Sequence, residues 1–247
     1  GALPEYKAGQ YVTVRVLVPE LGIKQPRQYS LSDCASGQYL RISVKREDAK
    51  VEGQDPGYVS STLHQYLNEH DVVELSAPTG NFFLVNPEKT NVLISAGVGL
   101  TPMVAMLNQL LTENTDPNEK LSFWQKIKAQ FSHAPEKPAI HFIHAARNSR
   151  VHAMKNAIQG LAQQHDNLDV FVAYEHPEQQ DKLGQDYDTQ GRLDLSKLDQ
   201  KWFPEHADYY LCGPMPFMQA QHQALLARGI PQENIHSEAF GTGGVTL

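Results

Sequence analysis

Residues 92–102 read VLISAGVGLTP, and the order of their chemistry decides the fold of the second half of the chain. Val92-Leu93-Ile94 is a short continuous apolar run, which is typical of a parallel strand buried on both faces. Two glycines then allow a tight turn, and Thr101 followed by Pro102 predicts the N-cap and the first residue of a helix. The stretch therefore predicts a strand, a glycine turn and a helix in direct succession.

The same alternation continues through residues 88–247, which we interpret as one domain. Further strands are predicted at 140–144, 170–173, 209–211 and 235–240, and helices at 154–162 and 217–227. Strands that alternate with helices in this way predict a doubly wound parallel sheet.

Residues 112–138 interrupt the alternation as an insertion. Leu121, Trp124, Ile127 and Phe131 fall near one face of a helix in this segment. The stripe is either the buried face of an inserted helix or a docking surface for a partner. Packing on its own domain is the favoured interpretation, because an apolar stripe usually faces a core.

Residues 1–87 predict β structure and form the first domain. Residues 11–18 are rich in β-branched residues and partly alternate, and shorter strands are expected at 28–32, 39–45, 72–75 and around 82–83. A short helix is expected at 60–67. Several short strands separated by turns predict a small antiparallel β-barrel. The chain enters its first strand almost at once, so we expect an earlier strand of the barrel to lie upstream.

Composition narrows the function classes. The net charge of −7 argues against nucleic acid as a partner, because phosphate binding needs a basic face. No apolar run is long enough to predict a membrane span, and no segment resembles a signal peptide. The chain has only two cysteines, Cys34 and Cys212, and such sparse use predicts reduced thiols in a cytoplasmic protein.

A flavin site is indicated by Arg27, Tyr29 and Ser30, which lie on one predicted strand. A flavin dinucleotide needs cations for its pyrophosphate, an apolar platform for its ring and a small donor beside its N5 atom. Strand alternation places Arg27 and Tyr29 on one face and Ser30 on the other, so the site requires a local bulge or a ligand that wraps around the strand. The alternative interpretation is a surface arginine beside a half-buried tyrosine.

A phosphate site is indicated by Gly57-Tyr58-Val59-Ser60, which precedes the predicted helix. Backbone N–H groups at a helix N-terminus bind anions, and Ser60 adds a hydroxyl. Simple N-capping by Ser60 is the alternative.

A nicotinamide nucleotide site is indicated by the glycine turn at 97–99 and by Cys212-Gly213-Pro214, which follows a later strand. Ligands of doubly wound sheets bind outside the carboxyl ends of the strands. Pro102 stands where the full dinucleotide motif has its third glycine, so an ordinary strand-to-helix turn is the alternative. Cys212 is either at this crevice or a buried core thiol. Phe240 on the final strand is either a packing residue or a cover for the flavin ring.

The histidines predict no metal site. His141, His144 and His152 are separated by a predicted strand and a turn, and no paired zinc-binding motif occurs.

Together these motifs resemble the ferredoxin–NADP reductase superfamily, and within it the reductase region of the bacterial flavohemoglobins. The motifs that carry the resemblance are Gly9-Gln10-Tyr11, Arg27-Gln28-Tyr29-Ser30-Leu31, Val44-Lys45-Arg46-Glu47, Gly57-Tyr58-Val59-Ser60, Ser95-Ala96-Gly97-Val98-Gly99, Cys212-Gly213-Pro214 and Ile235-His236-Ser237-Glu238-Ala239-Phe240-Gly241.

The resemblance implies an antiparallel flavin-binding β-barrel followed by a Rossmann-like domain that binds NAD(P)H. It implies that Ser30, Tyr29, Glu238 and Phe240 act in hydride transfer. The implied FAD-binding set is Tyr11, Arg27, Gln28, Tyr29, Ser30, Lys45, Gly57, Val59 and Ser60. The implied NAD(P)H-binding set is Gly97, Val98, Gly99, Leu100, Thr101, Pro102, Cys212, Gly213, Pro214, Phe240 and Gly241.

In that family, electrons pass from FAD to heme b in an N-terminal globin domain, where nitric oxide is converted to nitrate. The resemblance therefore implies a globin partner that this chain does not contain. A stand-alone flavin reductase of a multicomponent oxygenase and a degenerate, non-enzymatic interaction domain are the alternatives.

The choice between NADH and NADPH is open at this stage. Arg147 and Arg150 flank the second strand-to-helix turn of the domain, where an arginine accommodates a 2′-phosphate. The resemblance implies a preference for NADH instead. We predict NADH as the main donor, with NADPH tolerated.

Overall fold

The computed structural model describes residues 3–49, 55–113 and 137–239. Within these ranges the strands form a three-stranded antiparallel sheet in the order β2-β1-β3 and a six-stranded parallel sheet in the order β7-β6-β5-β4-β8-β9. The apolar stripe at 121–131 and the residues Phe240 and Gly241 lie outside the described residues.

The antiparallel sheet is built on β1, which spans Tyr11–Val18. Its valines at 12, 14, 16 and 18 all point into one apolar core, as the alternating pattern predicts. The remaining elements of this half are β2 (Ile23–Ser30), α1 (Tyr58–Gln65) and β3 (Glu74–Leu75).

The other expected strands of the barrel are reduced to single contacts. In the segment 39–45 only Ile42 bridges to Leu31, and Tyr11 bridges to Thr79. No strand forms at 82–83 among the described residues, although the Leu84 N–H donates to the Ala8 carbonyl (3.1 Å). The expected strand at 39–45 is wrong as an extended ladder. Its pairing is limited to the Ile42 bridge and a hydrogen bond from the Ser32 N–H to the Arg41 carbonyl (2.8 Å), and the Val44 carbonyl is hydrogen-bonded to His64 Nε2 (2.9 Å) instead of to a strand.

The parallel sheet confirms the predicted alternation of strands and helices. Its strands are β4 (Asn91–Ala96), β5 (Ile140–Ala146), β6 (Leu168–Tyr174), β7 (Thr189–Gln190), β8 (Asp208–Gly213) and β9 (Ile235–Ala239). Its helices are α2 (Leu100–Glu113), α3 (Lys155–Gln164) and α4 (Met215–Ala227). Short 3-10 turns lie at Gly97–Gly99, Ser149–Val151, Leu195–Lys197, Gln200–Trp202 and Gln232–Asn234.

Helices cover both faces of this sheet, as a doubly wound fold requires. Leu93 of β4 packs with α2 and α3 on one face, whereas Val92 and Ile94 pack with α4 on the other. The predicted buried strand is therefore apolar on both sides because both sides meet helices.

The structure corrects the predicted N-cap at Thr101 and excludes the alternative interpretation of Ser60 as an N-cap. Thr101 lies inside the first turn of α2, and its hydroxyl donates to the Val98 carbonyl (3.1 Å), because the 3-10 turn at 97–99 runs directly into the helix. Ser60 likewise lies inside α1, which begins at Tyr58 after Gly57. Neither residue is an N-cap.

The two halves share contacts. Ala8, Phe82 and Leu84 belong to the same apolar cluster as Met106 of α2. The connecting segment is held as well, since the Val85 N–H donates to the Tyr210 hydroxyl oxygen (2.9 Å). These contacts hold the β-rich half against α2 and β8.

Candidate functional site

A cleft with a cavity volume of about 210 Å³ opens where β2, α1 and the start of α2 meet. Residues from both halves of the chain line it. Its lining residues are Arg27, Gln28, Tyr29, Ser30, Ser43, Lys45, Glu47, Gly57, Val59, Ser60, Val98 and Thr101.

The cleft wraps around the end of β2. The β1–β2 register is unbroken from Val18↔Ile23 to Tyr11↔Ser30, so the strand carries no bulge. Arg27 is exposed, Tyr29 is half-buried and Ser30 is buried. Residues from both faces of the strand nevertheless line one cleft.

Ser30 presents an unused polar group. Its side chain is 3% exposed, and its Oγ has no hydrogen-bond partner among the described residues. A buried hydroxyl normally finds a partner, because burying it without one costs free energy. The Oγ is therefore available for a contact with a ligand in the cleft that Ser30 lines.

Cationic side chains and the N-terminus of α1 also line the cleft. The Arg27 guanidinium is exposed and donates to the Pro26 carbonyl (2.9 Å), and the Lys45 ammonium pairs with Glu47 (2.7 Å). Ser60 Oγ donates to the Gly57 carbonyl (2.9 Å) and accepts from the Glu47 N–H (3.2 Å). This arrangement can bind an anionic group, because the first N–H groups of a helix lack intrahelical partners.

Tyr29 supplies a half-buried aromatic ring beside these groups. Burial raises the pKa of its phenol above the ordinary value, and the nearby Arg27 opposes that rise. The phenol therefore stays neutral at physiological pH, which suits a ring that packs against an apolar surface.

The second half contributes Val98 and Thr101 through the glycine turn. Gly97 has a φ of +54°, in the left-handed region that favours glycine. A Cβ on Gly99 would lie 2.3 Å from the Cys212 carbonyl oxygen. The turn after β4 therefore lies directly against the end of β8 only because residue 99 is glycine.

The end of β8 lies beside Glu238 of β9, since Cys212 and Glu238 are partners in the parallel ladder. Cys212 is fully buried, which together with Glu238 raises its pKa well above the ordinary value. Burial raises the pKa of Glu238 to about 7, and its Oε2 has no hydrogen-bond partner among the described residues. Glu238 can therefore hold or release a proton near neutral pH.

Some predicted site residues lie elsewhere. Leu100, Pro102 and Cys212 are buried inside the second half, and Pro214 is exposed at the start of α4. Tyr11 exchanges backbone hydrogen bonds with Thr79 and is not part of the cleft lining. Phe240 and Gly241 lie outside the described residues.

Sequence reasoning did not single out Ser43 and Glu47 as site residues, although both line the cleft. Ser43 Oγ donates to Ser32 Oγ (2.9 Å), and the Glu47 carbonyl accepts from the Gly57 N–H (2.8 Å). The signal that could have found Glu47 was its place in the motif Val44-Lys45-Arg46-Glu47.

The turn after β5 presents both arginines to solvent, since Arg147 and Arg150 are exposed. The turn is held by acidic neighbours: Asn148 Nδ2 donates to Glu178 Oε1 (3.0 Å), and the Ser149 N–H donates to Asp181 Oδ2 (3.3 Å).

Two negative observations apply to residues 3–49, 55–113 and 137–239. These ranges contain no cluster of three or more histidine, cysteine or acidic side chains that could hold a metal ion. None of their helices combines the length and the apolar character that a membrane crossing requires.

Comparison with known proteins agrees with this geometry. Residues 93–223 match the family described as the oxidoreductase NAD-binding domain. A flavohemoprotein of Bordetella pertussis is 48% identical over an alignment of 248 positions, which covers 99% of this chain and 55% of that protein. The chain thus spans about half the length of the curated relatives it matches.

Solved structures are similar over nearly the whole chain. The flavohem-like FAD/NAD-binding domain of nitric oxide dioxygenase from Vibrio cholerae has a TM-score of 0.80 and 34% identity, and the match covers 98% of this chain and 88% of that domain. A flavohemoglobin from Malassezia yamatoensis with bound FAD and heme has a TM-score of 0.70 and 23% identity, covering 97% of this chain and 53% of that one. At this lower identity the second match supports the fold alone.

Proposed function

Because the chain belongs to the oxidoreductase NAD-binding domain family, within the reductase region of the flavohemoproteins, we propose that it transfers a hydride from NAD(P)H to FAD. The observation that carries the proposal is Ser30. Its buried Oγ has no partner among the described residues, and Ser30 lines a cleft formed by the β-rich half and the start of α2.

The residues of the cleft fit a flavin dinucleotide. Arg27, Lys45 and the N-terminus of α1 with Ser60 would hold the pyrophosphate, because charge-assisted and backbone N–H contacts suit phosphate oxygens. Tyr29 would pack against the ring, and the Ser30 hydroxyl is the donor that we assign to N5. A bound FAD would supply the hydride acceptor that no amino-acid side chain can provide.

The nicotinamide nucleotide would enter from the side of α2. Val98 and Thr101 line the cleft beside the glycine turn, so they are placed to orient the nucleotide. The close approach of residues 99 and 212 would hold the two strand ends against it. Glu238 would hold a proton beside this crevice, since burial brings the pKa of its carboxyl to about 7.

The relatives are about twice as long as this chain, and the proposal extends to a whole protein of that length. We propose that a globin domain with heme b receives single electrons from the flavin and converts nitric oxide and dioxygen to nitrate. Both cysteines of this chain carry free thiols, which supports the proposed location in the cytoplasm.

The test replaces Ser30 with alanine in FAD-loaded protein. We expect flavin reduction at saturating NADH to slow by about 10- to 100-fold, because a donor that acts where charge changes contributes on that scale. The affinity for FAD should change less than the rate. Anaerobic stopped-flow absorbance measures the rate, and Ser36→Ala removes a hydroxyl from an exposed loop as the matched control.

The outcomes separate the candidates. A Ser30→Ala variant that reduces the flavin as fast as the wild type would remove the assigned contact. Wild-type protein that binds no FAD would instead favour the non-enzymatic alternative. Efficient electron transfer to a ferredoxin, with none to a heme globin, would favour the multicomponent oxygenase.

A further inference from the structure

A buried carboxylate joins the two halves of the chain outside the cleft. The Asp33 side chain is largely buried, and four groups contact it. Its Oδ1 accepts from the Cys34 N–H (2.9 Å) and from Asn108 Nδ2 (2.8 Å). Its Oδ2 accepts from the Tyr39 hydroxyl (2.7 Å) and lies 3.2 Å from Arg41 Nη1.

Only the contact with Asn108 crosses between the halves, because Asn108 lies on α2 whereas Cys34, Tyr39 and Arg41 lie near Asp33 in the chain. Burial raises the pKa of the Asp33 carboxyl, but the hydrogen bonds from Tyr39, Asn108 and the Cys34 N–H, together with the charge of Arg41, outweigh burial and leave the pKa below its ordinary value. The carboxylate is thus charged at neutral pH, which makes its hydrogen bond with Asn108 charge-assisted.

Neighbouring residues of α2 also form hydrogen bonds with the β-rich half. Gln109 Oε1 accepts from the Ala8 N–H (3.3 Å), and Thr112 hydrogen-bonds the Cys34 side chain. Asn108, Gln109 and Thr112 fall on one side of the helix because residues three and four apart are neighbours there. One polar stripe of α2 therefore meets the β-rich half.

The polar stripe of α2 lies between the proposed flavin contact at Ser30 and the proposed nicotinamide contacts at the start of the helix. Asp33 follows Ser30 closely in the chain, and the intervening Ser32 is fixed by Arg41, whose Nη2 donates to its carbonyl (2.7 Å). Asn108 lies about 12 Å along α2 from Leu100, given a rise of about 1.5 Å per residue. The same helix begins beside Val98 and Thr101 in the cleft.

We propose that the hydrogen bond between Asp33 and Asn108 is a latch that sets the distance between the flavin and the nicotinamide. Asp33 and Asn108 are positioning residues, since neither lines the cleft. The inference rests on the proposed hydride transfer. It predicts that loss of the latch changes the approach of the two rings more than it changes the binding of either nucleotide.

The first experiment compares Asn108→Ala and Asn108→Leu with Tyr39→Phe in FAD-loaded protein. Leucine keeps the number and branching of the side-chain heavy atoms of asparagine but has no donor, and Tyr39→Phe removes a bond to the same carboxylate within one half. We expect both Asn108 variants to reduce the flavin about 10- to 100-fold more slowly at saturating NADH, because a small misplacement of reacting groups costs rates of this order. FAD affinity and the apparent NADH affinity should stay near wild type, as should the rate of Tyr39→Phe.

The second experiment needs no flavin. Cys34 is half-buried at the latch, whereas Cys212 is fully buried and serves as an internal reference. A thiol reagent such as DTNB should modify Cys34 faster in both Asn108 variants than in the wild type or Tyr39→Phe. Faster modification would report that the two halves separate more often at this contact.

Unchanged flavin reduction in both Asn108 variants would overturn the latch. Equal loss in Tyr39→Phe would also overturn it, since the carboxylate would then act only within its own half. Failure of the wild type to accept hydride would refute the proposed function instead, while the thiol measurement would still decide whether Asn108 holds the halves together.

Discussion

Replacing Gly99 by alanine tests whether the close approach of residue 99 to the backbone of Cys212 shapes the nucleotide site. The new Cβ would lie 2.3 Å from the Cys212 carbonyl oxygen, 2.5 Å from the Cys212 carbonyl carbon and 2.8 Å from the Gly213 nitrogen. All three are backbone atoms, so no flexible side chain can move aside. Because relaxed contacts of this kind lie near 3.5 Å, the backbone must shift by about 1 Å.

The expected loss of stability is large for a single methyl group. Overpacking a rigid contact costs up to about 3 kcal/mol, which for a protein of this length lowers Tm by roughly 6–12 °C. Gly97→Ala is the matched control. Its φ of +54° strains alanine by about 1–2 kcal/mol, but no atom outside its chain neighbours lies within 4 Å of the added methyl group.

Urea unfolding measures the stability of both variants, and isothermal titration with NADH measures affinity. We expect Gly99→Ala to bind NADH at least about tenfold more weakly, equivalent to 1.4 kcal/mol, and Gly97→Ala to bind it with a smaller loss. If Gly99→Ala unfolds and binds NADH like the wild type, the approach of residues 99 and 212 does not shape the site.

Three further predictions concern charge. Arg27→Ala should weaken FAD binding by roughly 1.5–3 kcal/mol through loss of a charge-assisted contact, whereas Arg15→Ala on the same sheet should not; FAD titration measures both. Arg147→Glu should lower kcat/KM for NADPH selectively, and an unchanged NADPH-to-NADH ratio would exclude Arg147 from reading the 2′-phosphate. Burial, with Lys155 nearby, lowers the pKa of His152 to about 4. As the pH falls, the unfolded chain therefore binds a proton at His152 before the folded chain does, and the free energy of unfolding falls by about 3 kcal/mol between pH 6.5 and pH 4. Urea unfolding should show that this free energy depends less steeply on pH in His152→Gln than in the wild type. An identical dependence would contradict the assignment to His152.

The second half could be predicted well because its signals are local. The apolar run at 92–94 and the glycines after it report burial on two faces and a tight turn within a few residues. β1 was predictable for the same reason, since its alternating valines reflect a single buried face. Each of these features depends on near neighbours in the chain.

The polar contacts could not be predicted because their partners are distant in sequence. Asp33 and Asn108 carry no pattern that would pair them. The segment 39–45 has the composition of a strand, yet it forms only one bridge, at Ile42, and no sequence pattern announces the contacts of Tyr39 and Arg41 with Asp33. The start of α2 was misplaced because a 3-10 turn runs directly into the helix, and the Thr101 hydroxyl donates to the Val98 carbonyl of that turn instead of capping the helix.

The pairing of β4 has a consequence for synthesis on the ribosome. Asn91 of β4 pairs with Ile140 on one side and with Asp208 on the other, so the second edge of β4 stays open until most of the chain has been made. An open edge of an apolar strand is a template for pairing with another chain, and parallel strands far apart in sequence associate slowly. A nascent chain arrested between these two partners would therefore expose β4 to aggregation, and we expect chaperones to engage it during that interval.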